Sequence, residues 1–233
     1  TLMRLGVTTD TQDMSGTILA QSPVSVKASD VEQAILGFVG GYDQVPPMYS
    51  ALKVNGRKLY ELAREGREVE RQPRHVDISF IRILDISLPE VRFLVGCSKG
   101  TYIRTLCADI GSRLGCGAAM SELKRTRVGN FQIEDAVRLS KVEELMQSGT
   151  YEDYVMPPDS IFMEYESAVV KNNAENALLN GNKLCMEQLD FANPVFFRDG
   201  DRIRVYDGSH AFKAVYTFVK SEGKFRPFKM FLG

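Results

Sequence analysis

Apolar residues recur in two registers along this chain, and the change from one to the other is sharpest near its middle. Val91, Phe93, Val95 and Cys97 alternate with their neighbours, the period of a half-buried strand. Directly afterwards Ile103, Leu106, Cys107, Ile110 and Leu114 share one side of a helix that Gly115 stops. Upstream, Val76–Leu88 alternates with one slip of phase, which predicts a long bulged strand running antiparallel to its successor. Thr1–Leu19 reads strand, turn, strand, with the turn formers crowded into Thr8–Gly16. Ser29-Asp30-Val31-Glu32 has the form of a capping box, and Val31, Ile35, Phe38 and Val39 continue it as a short helix ended by Gly40-Gly41. Asn55-Gly56 signals a hairpin, and Leu59, Leu62 and Ala63 a short helix closed by Gly66. Ser140–Glu143 repeats the capping-box form and opens a helix ending near Gly149. The boundary signal is Tyr151–Ser160, with Pro157-Pro158. Beyond Tyr165, Asn172–Leu179 predicts a helix closed by Gly181. Short strands with turns at Asp199-Gly200, Asp207-Gly208 and Glu222-Gly223 then predict a small barrel or sandwich.

Composition narrows the class. A chain of 233 residues fits one large domain, or a medium one with a small one. Hydrophobic residues make up 44% and charged residues 25%, the range of globular proteins in water. No apolar run approaches the ~18 residues that a membrane span needs. No secretory signal opens the chain, so a cytoplasmic location is expected. The start lacks a methionine, and Thr1–Leu5 already reads as a strand under way, so the chain is expected to begin within a longer protein. The four cysteines (Cys97, Cys107, Cys116, Cys185) form no C-x-x-C pair, and only His75 and His210 could join them. No metal site is expected, and free, mostly buried thiols are.

Charge is uneven beneath a net value of −1. Residues 92–129 carry seven basic against two acidic side chains and residues 52–82 eight against five, whereas residues 130–166 carry two against nine and residues 167–233 ten against seven. Two basic segments and a basic tail domain are thus separated by an acidic spacer, a distribution suited to a polyanionic partner. Scattering of these charges over several faces is the other reading.

Candidate chemistry concentrates at two places. Ser98–Tyr102 joins strand to helix: Gly100 permits a tight turn, the new helix presents free N–H groups, Lys99 and Arg104 flank it, and Tyr102 adds a ring. This combination suits an aromatic anion such as a nucleotide, and equally a plain strand–turn–helix. In the segment 42–72, Lys53, Arg57, Lys58, Arg64 and Arg67 interleave with Tyr49 and Tyr60, a pattern that suits phosphates and bases, or a solvated helix with Arg64, Glu65, Arg67 and Glu68 paired among themselves. Asp10 and Asp13 are read as bonding the turn backbone rather than as catalytic carboxylates.

CSKGTYIRTL at 97–106, with LGCGA at 114–118, resembles the bacterial TruB family of tRNA pseudouridine synthases, which modify uridine 55 in the T loop. RLGVTTDTQDMSG at 4–16, PPMYSALKVNGRKLYELAREG at 46–66 and LKRTRVGNF at 123–131 resemble further family segments in the same order. The resemblance implies an α+β fold: a catalytic domain on a mixed, largely antiparallel sheet with flanking helices at 1–160, an RNA-binding thumb at about 42–75, and a PUA-like β domain at 165–233. It implies isomerisation of uridine to pseudouridine without cofactor, a tRNA T arm as partner, and a monomer. The family's catalytic Asp lies in a G-x-L-D-P motif upstream of R-L-G, and no such motif occurs here. The resemblance therefore places that Asp outside this chain and makes the chain alone inactive; a tRNA-binding or folding module without catalysis is the alternative. Arg104 matches the Arg that pairs with the catalytic Asp, and without that Asp it is expected to lack its main partner. Tyr102 and Leu123 match residues lining the uridine pocket, and Lys99 is expected to support phosphate or backbone nearby. Tyr49, Lys53, Arg57, Lys58 and Arg125 are the implied RNA contacts.

Overall fold

The computed structural model describes residues 1–232 and divides into two units, Thr1–Thr126 and the part from Arg127 onward. The first unit contains β1 (Leu2–Leu5), β2 (Val7–Thr9), β3 (Ile18–Gln21), α1 (Ala28–Leu36), β4 (Gly40–Gln44), β5 (Lys53–Val54), β6 (Arg57–Lys58), α2 (Leu59–Arg64), β7 (Arg74–Ser87), β8 (Glu90–Cys97), α3 (Ile103–Arg113) and β9 (Ala118–Glu122). Its main sheet has the order β4-β7-β8-β1-β9, with every neighbour antiparallel. Alternation sets which residues go in: Val91 and Phe93 are buried, Val95 is half-buried, and Cys97 emerges at the strand's end. The slip in β7 is real, with register shifts between Ile78 and Phe80 and between Ile83 and Asp85.

Helices α1 and α3 supply Val31, Ile35, Leu106, Cys107 and Ile110 to the same core as Met3, Leu5, Ile78 and Phe93, so both cover one face of the sheet. The cap of α1 differs from the sequence expectation. Lys27 is the N-cap, the Asp30 carboxylate accepts from its N–H at 3.3 Å, and Ser29 lies inside the helix. The helix also ends earlier, at Leu36, which frees Gly40-Gly41 to begin β4. α3 has Tyr102 as its N-cap residue, has no side-chain cap, and reverses through Gly115 at φ 74° into β9. That return is tight: a Cβ at Gly111 would lie 2.1 Å from the Ala118 nitrogen. The fully buried Cys107 thiol is pushed up to about 12 by loss of water, whereas Cys97 is exposed and Cys185 half-exposed, so the expectation of mostly buried thiols holds for Cys107 and Cys116.

The second unit contains β10 (Arg127–Val128), β11 (Phe131–Gln132), α4 (Leu139–Ser148), β12 (Glu166–Val170), α5 (Glu175–Leu179), β13 (Leu184–Cys185), β14 (Leu189–Phe191), β15 (Arg202–Tyr206), β16 (Phe212–Val219) and β17 (Lys224–Met230). Its six-stranded sheet, ordered β13-β17-β16-β15-β12-β14, is mixed because β12 and β15 run parallel. Ala168, Leu178, Ile203, Val205, Tyr216 and Phe225 form its separate core, the small C-terminal β domain. No helix is long and apolar enough to cross a membrane among the described residues.

Candidate functional site

The first turn of α3 is the meeting point of three segments. Arg104 leaves this turn with its guanidinium about four-fifths buried. Its Nη1 donates to Asp13 Oδ2 at 3.2 Å, and its Nη2 donates to the Tyr49 carbonyl. Arg104 therefore has an anionic partner within the chain, Asp13, which the sequence did not single out for it. Asp13 was read as a turn carboxylate, and one of its oxygens is used so: Oδ1 accepts from the Ser15 backbone at 3.1 Å and from the Thr11 hydroxyl at 2.9 Å. The other oxygen faces the guanidinium. Burial pushes the Asp13 carboxyl upward, but the bonds from Ser15, Thr11 and Arg104 more than offset this and hold it below the usual carboxylate range. Asp10 keeps the turn role alone, accepting from the Thr17 N–H at 2.8 Å, with the Tyr49 hydroxyl 3.5 Å away.

The loop that carries Asp13 is aimed by its neighbour. Gln12 stands at φ 64°, in the left-handed region that an L residue enters at a cost. Its carbonyl accepts from the Met120 N–H at 3.1 Å, and its side-chain oxygen accepts from the buried Thr105 hydroxyl at 2.6 Å. The loop is thereby tied to β9 and to α3, one residue from Arg104.

The third segment runs from Gln44 through Pro46 and Pro47 to Tyr49 and Ser50. Two prolines hold it extended. Gln44 is 1% exposed, and its amide bonds the Tyr102 backbone: Oε1 accepts from the N–H at 2.8 Å and Nε2 donates to the carbonyl at 3.1 Å. The Ser50 carbonyl accepts from Tyr60 and the Leu52 carbonyl from Leu59, so α2 and the hairpin before it hang from this segment. Asn55 at φ 51° and Gly56 at φ 80° make the turn the sequence signals, pairing Val54 with Arg57 and Lys53 with Lys58.

The structure thus brings Arg104, Tyr102 and Tyr49 together, and gathers Lys53, Arg57 and Lys58 on the adjoining hairpin. Of the four residues expected to pair among themselves, Arg67 meets Glu65 at 3.9 Å, while Glu65 also engages Arg57 at 3.2 Å and Glu68 engages Arg71 at 3.0 Å. Lys58 and Arg64 both lie over the Tyr60 ring, 5.4 and 5.3 Å from its centroid. Lys99 and Arg125 are exposed, and Leu123, 48% exposed just past β9, belongs to neither apolar core. Sequence reasoning missed Asp13 as a partner of Arg104, and missed Gln12 and Gln44. Thr-Asp-Thr-Gln-Asp reads as turn chemistry whichever way its carboxylates point, and a lone Gln before Val-Pro-Pro carries no signal. Among the described residues no cluster of His, Cys, Asp and Glu could hold a metal ion.

Comparison with known proteins bears on this geometry. The family model described as TruB family pseudouridylate synthase (N terminal domain) matches residues 1–103, and that described as tRNA pseudouridylate synthase B C-terminal domain matches residues 104–169. The chain is 44% identical over 203 residues to tRNA pseudouridine synthase B of Lachnoclostridium phytofermentans, covering 84% of this chain and 66% of the relative. It is 43% identical over 210 residues to the protein of that name from Clostridium acetobutylicum, covering 90% and 70%. The chain thus spans roughly two thirds of the length of these curated relatives. Two solved structures share the fold: a Cbf5-Nop10-Gar1 complex (TM-score 0.66, 24% identity, 99% of this chain and 65% of that one) and an H/ACA ribonucleoprotein bound to a substrate RNA (TM-score 0.64, 22% identity, 100% and 64%).

Proposed function

Because this chain belongs to the TruB family of pseudouridylate synthases, we propose that it is the RNA-holding and arginine-bearing part of a tRNA pseudouridine synthase acting on the T loop, at uridine 55. The observation that carries this reading is the convergence of Arg104, Asp13 and the Tyr49 carbonyl at the start of α3, on the segment whose Ser50 and Leu52 carbonyls anchor a basic hairpin and α2. The reaction is an isomerisation. The bond from ribose to the base nitrogen breaks, the base turns, and a bond from ribose to a base carbon forms, with a proton leaving that carbon and one returning to nitrogen. Nothing is oxidised or reduced, so the protein is asked to position the groups, to place charge, and to help the proton from carbon to nitrogen. The target nucleotide must first leave the folded loop.

In this reading Asp13 holds one edge of the Arg104 guanidinium and the Tyr49 carbonyl the other. The remaining N–H donors are left for the catalytic carboxylate, which the G-x-L-D-P motif of longer family members supplies. Tyr102 gives the flat wall for the base and Leu123 an apolar one. Lys53, Arg57, Lys58, Lys99 and Arg125 meet phosphate, and Tyr49 contacts the RNA.

The test compares this chain with a form extended at its N-terminus to include that motif, each incubated with a T-arm hairpin, followed by mapping of pseudouridine. Product is expected only with the extension. Product from the 233-residue chain would remove the assignment of the carboxylate to a segment outside it. In the extended form Arg104→Ala is expected to abolish turnover while RNA affinity stays within about twofold. Near-normal turnover would take Arg104 out of the site.

A further inference from the structure

Tyr102 occupies an awkward place in the chain. β8 has ended at Cys97, α3 begins at Ile103, and the Tyr102 backbone is still extended, at φ −96° and ψ 104°. Its N–H therefore has no ladder partner, and its carbonyl already accepts from the Leu106 N–H at 3.0 Å as the helix starts. No side chain caps this helix start. The ring of such a residue points wherever two free dihedrals leave it.

Gln44 removes that freedom. Its side-chain amide accepts from the N–H and donates to the carbonyl of the same residue, at 2.8 and 3.1 Å, as a neighbouring strand would. Its second amide hydrogen goes to the Tyr42 hydroxyl. Each donor of the Gln44 amide is thus used, and the amide has one orientation, because turning it over would set NH2 against N–H. Gln44, Gln12 and Arg104 between them tie the Pro46–Tyr49 segment and the Asp13 loop to the first turn of α3.

We propose that Gln44 is a positioning residue: by fixing the backbone of Tyr102 on both its polar groups, it sets the direction in which the ring leaves α3 and so the plane of the wall for the target base. The first half of this statement concerns the protein alone; the second rests on the function proposed above.

The experiment separates the two. In the 233-residue chain labelled with nitrogen-15 tyrosine, amide hydrogen exchange is read at Tyr102, with Tyr60, whose N–H donates to the Ser50 carbonyl, and Tyr216 as internal references among the nine tyrosines. Gln44→Met keeps the length of the side chain and removes the amide. It is expected to raise exchange at Tyr102 about tenfold, the factor for loss of one net hydrogen bond, with the references within about twofold. Gln44→Asn keeps an amide but withdraws it by one methylene, and it carries the same expectation should Gln44→Met not fold. In a second arm, a T-arm hairpin bears 2-aminopurine in place of the target base. Wild-type protein is expected to quench it on binding, and the Gln44 variants to lose at least about half of the quench while the Kd stays within about twofold. Unchanged exchange at Tyr102, or exchange rising equally at all three tyrosines, overturns the proposal. So does loss of affinity in parallel with loss of quench, which is what a merely structural residue would give. If the wild-type chain fails to bind the hairpin, the proposed function and the base wall fall together, and exchange alone then decides whether Gln44 holds Tyr102.

Discussion

Asp13 uses its two carboxylate oxygens differently, one inside its own turn and one on Arg104, and this division gives it a measurable signature. Asn at this position keeps an acceptor but removes the charge facing a largely buried guanidinium. The expected cost at neutral pH is about 1–2 kcal/mol, a fall of several degrees in thermal midpoint. Because the folded carboxyl is held below its ordinary range, its contribution is complete above the unfolded value of about 4 and is lost as pH falls through the lower folded value. Thermal midpoints of wild type and Asp13→Asn should therefore converge on acidification. Asp109 behaves in the opposite sense. Burial raises its carboxyl to about 6, so its contribution is complete below the unfolded value and is lost as pH rises through about 6. Asp109→Asn is expected to be more stable than wild type at pH 8 and no different at pH 4; a gap that does not open near pH 6 would count against burial as the cause.

At the scale of elements, α3 packs tightly against the start of β9 at Gly111. Gly→Ala inside a helix ordinarily gains close to 1 kcal/mol of helix propensity. At Gly111 the new methyl would meet the backbone nitrogen of Ala118 at 2.1 Å, and backbone yields less readily than a side-chain tip. Overpacking of that kind costs about 1–3 kcal/mol or more and outweighs the gain, so Gly111→Ala should lower the thermal midpoint, whereas an exposed helical glycine would raise it. Elements of this sort were legible wherever a single period ran unbroken: β8, α3, the Asn55-Gly56 hairpin and the bulged β7 all stand where their patterns put them. The cap of α1 was not, because Lys27, Ser29 and Asp30 offer overlapping capping schemes and packing of Val31 and Ile35 chooses among them. Its motif singled out Arg104 in the sequence. The bond from Arg104 to Asp13 was not legible, since 91 residues separate the two and only the folded loop, with Gln12 in a left-handed turn, brings the carboxylate round.

For the whole molecule, the formal charge of −1 conceals basic segments whose effect salt should expose. If the hairpin carrying Lys53 meets phosphates, log K for a T-arm hairpin should fall linearly with log salt. Lys53→Ala should then reduce the slope by about one. Lys141→Ala, whose ammonium is already paired with Glu144 at 3.0 Å in an acidic stretch, should leave the slope alone. Equal effects of the two substitutions would remove the hairpin from the RNA interface. The two units keep separate apolar cores, and the basic hairpin pairs only within the first, so it needs no strand from the other.

The unequal burial of the thiols has a practical consequence. Cys107 is sealed and its thiol held protonated, Cys116 is enclosed, and Cys97 opens to water at the end of β8, five residues before Tyr102. With Cys185 changed to Ser, a maleimide dye should attach at one place, and that place adjoins the bend where sheet gives way to helix. The fold thus comes with a natural handle for a fluorescent reporter of the RNA arrival proposed above, requiring no engineered cysteine.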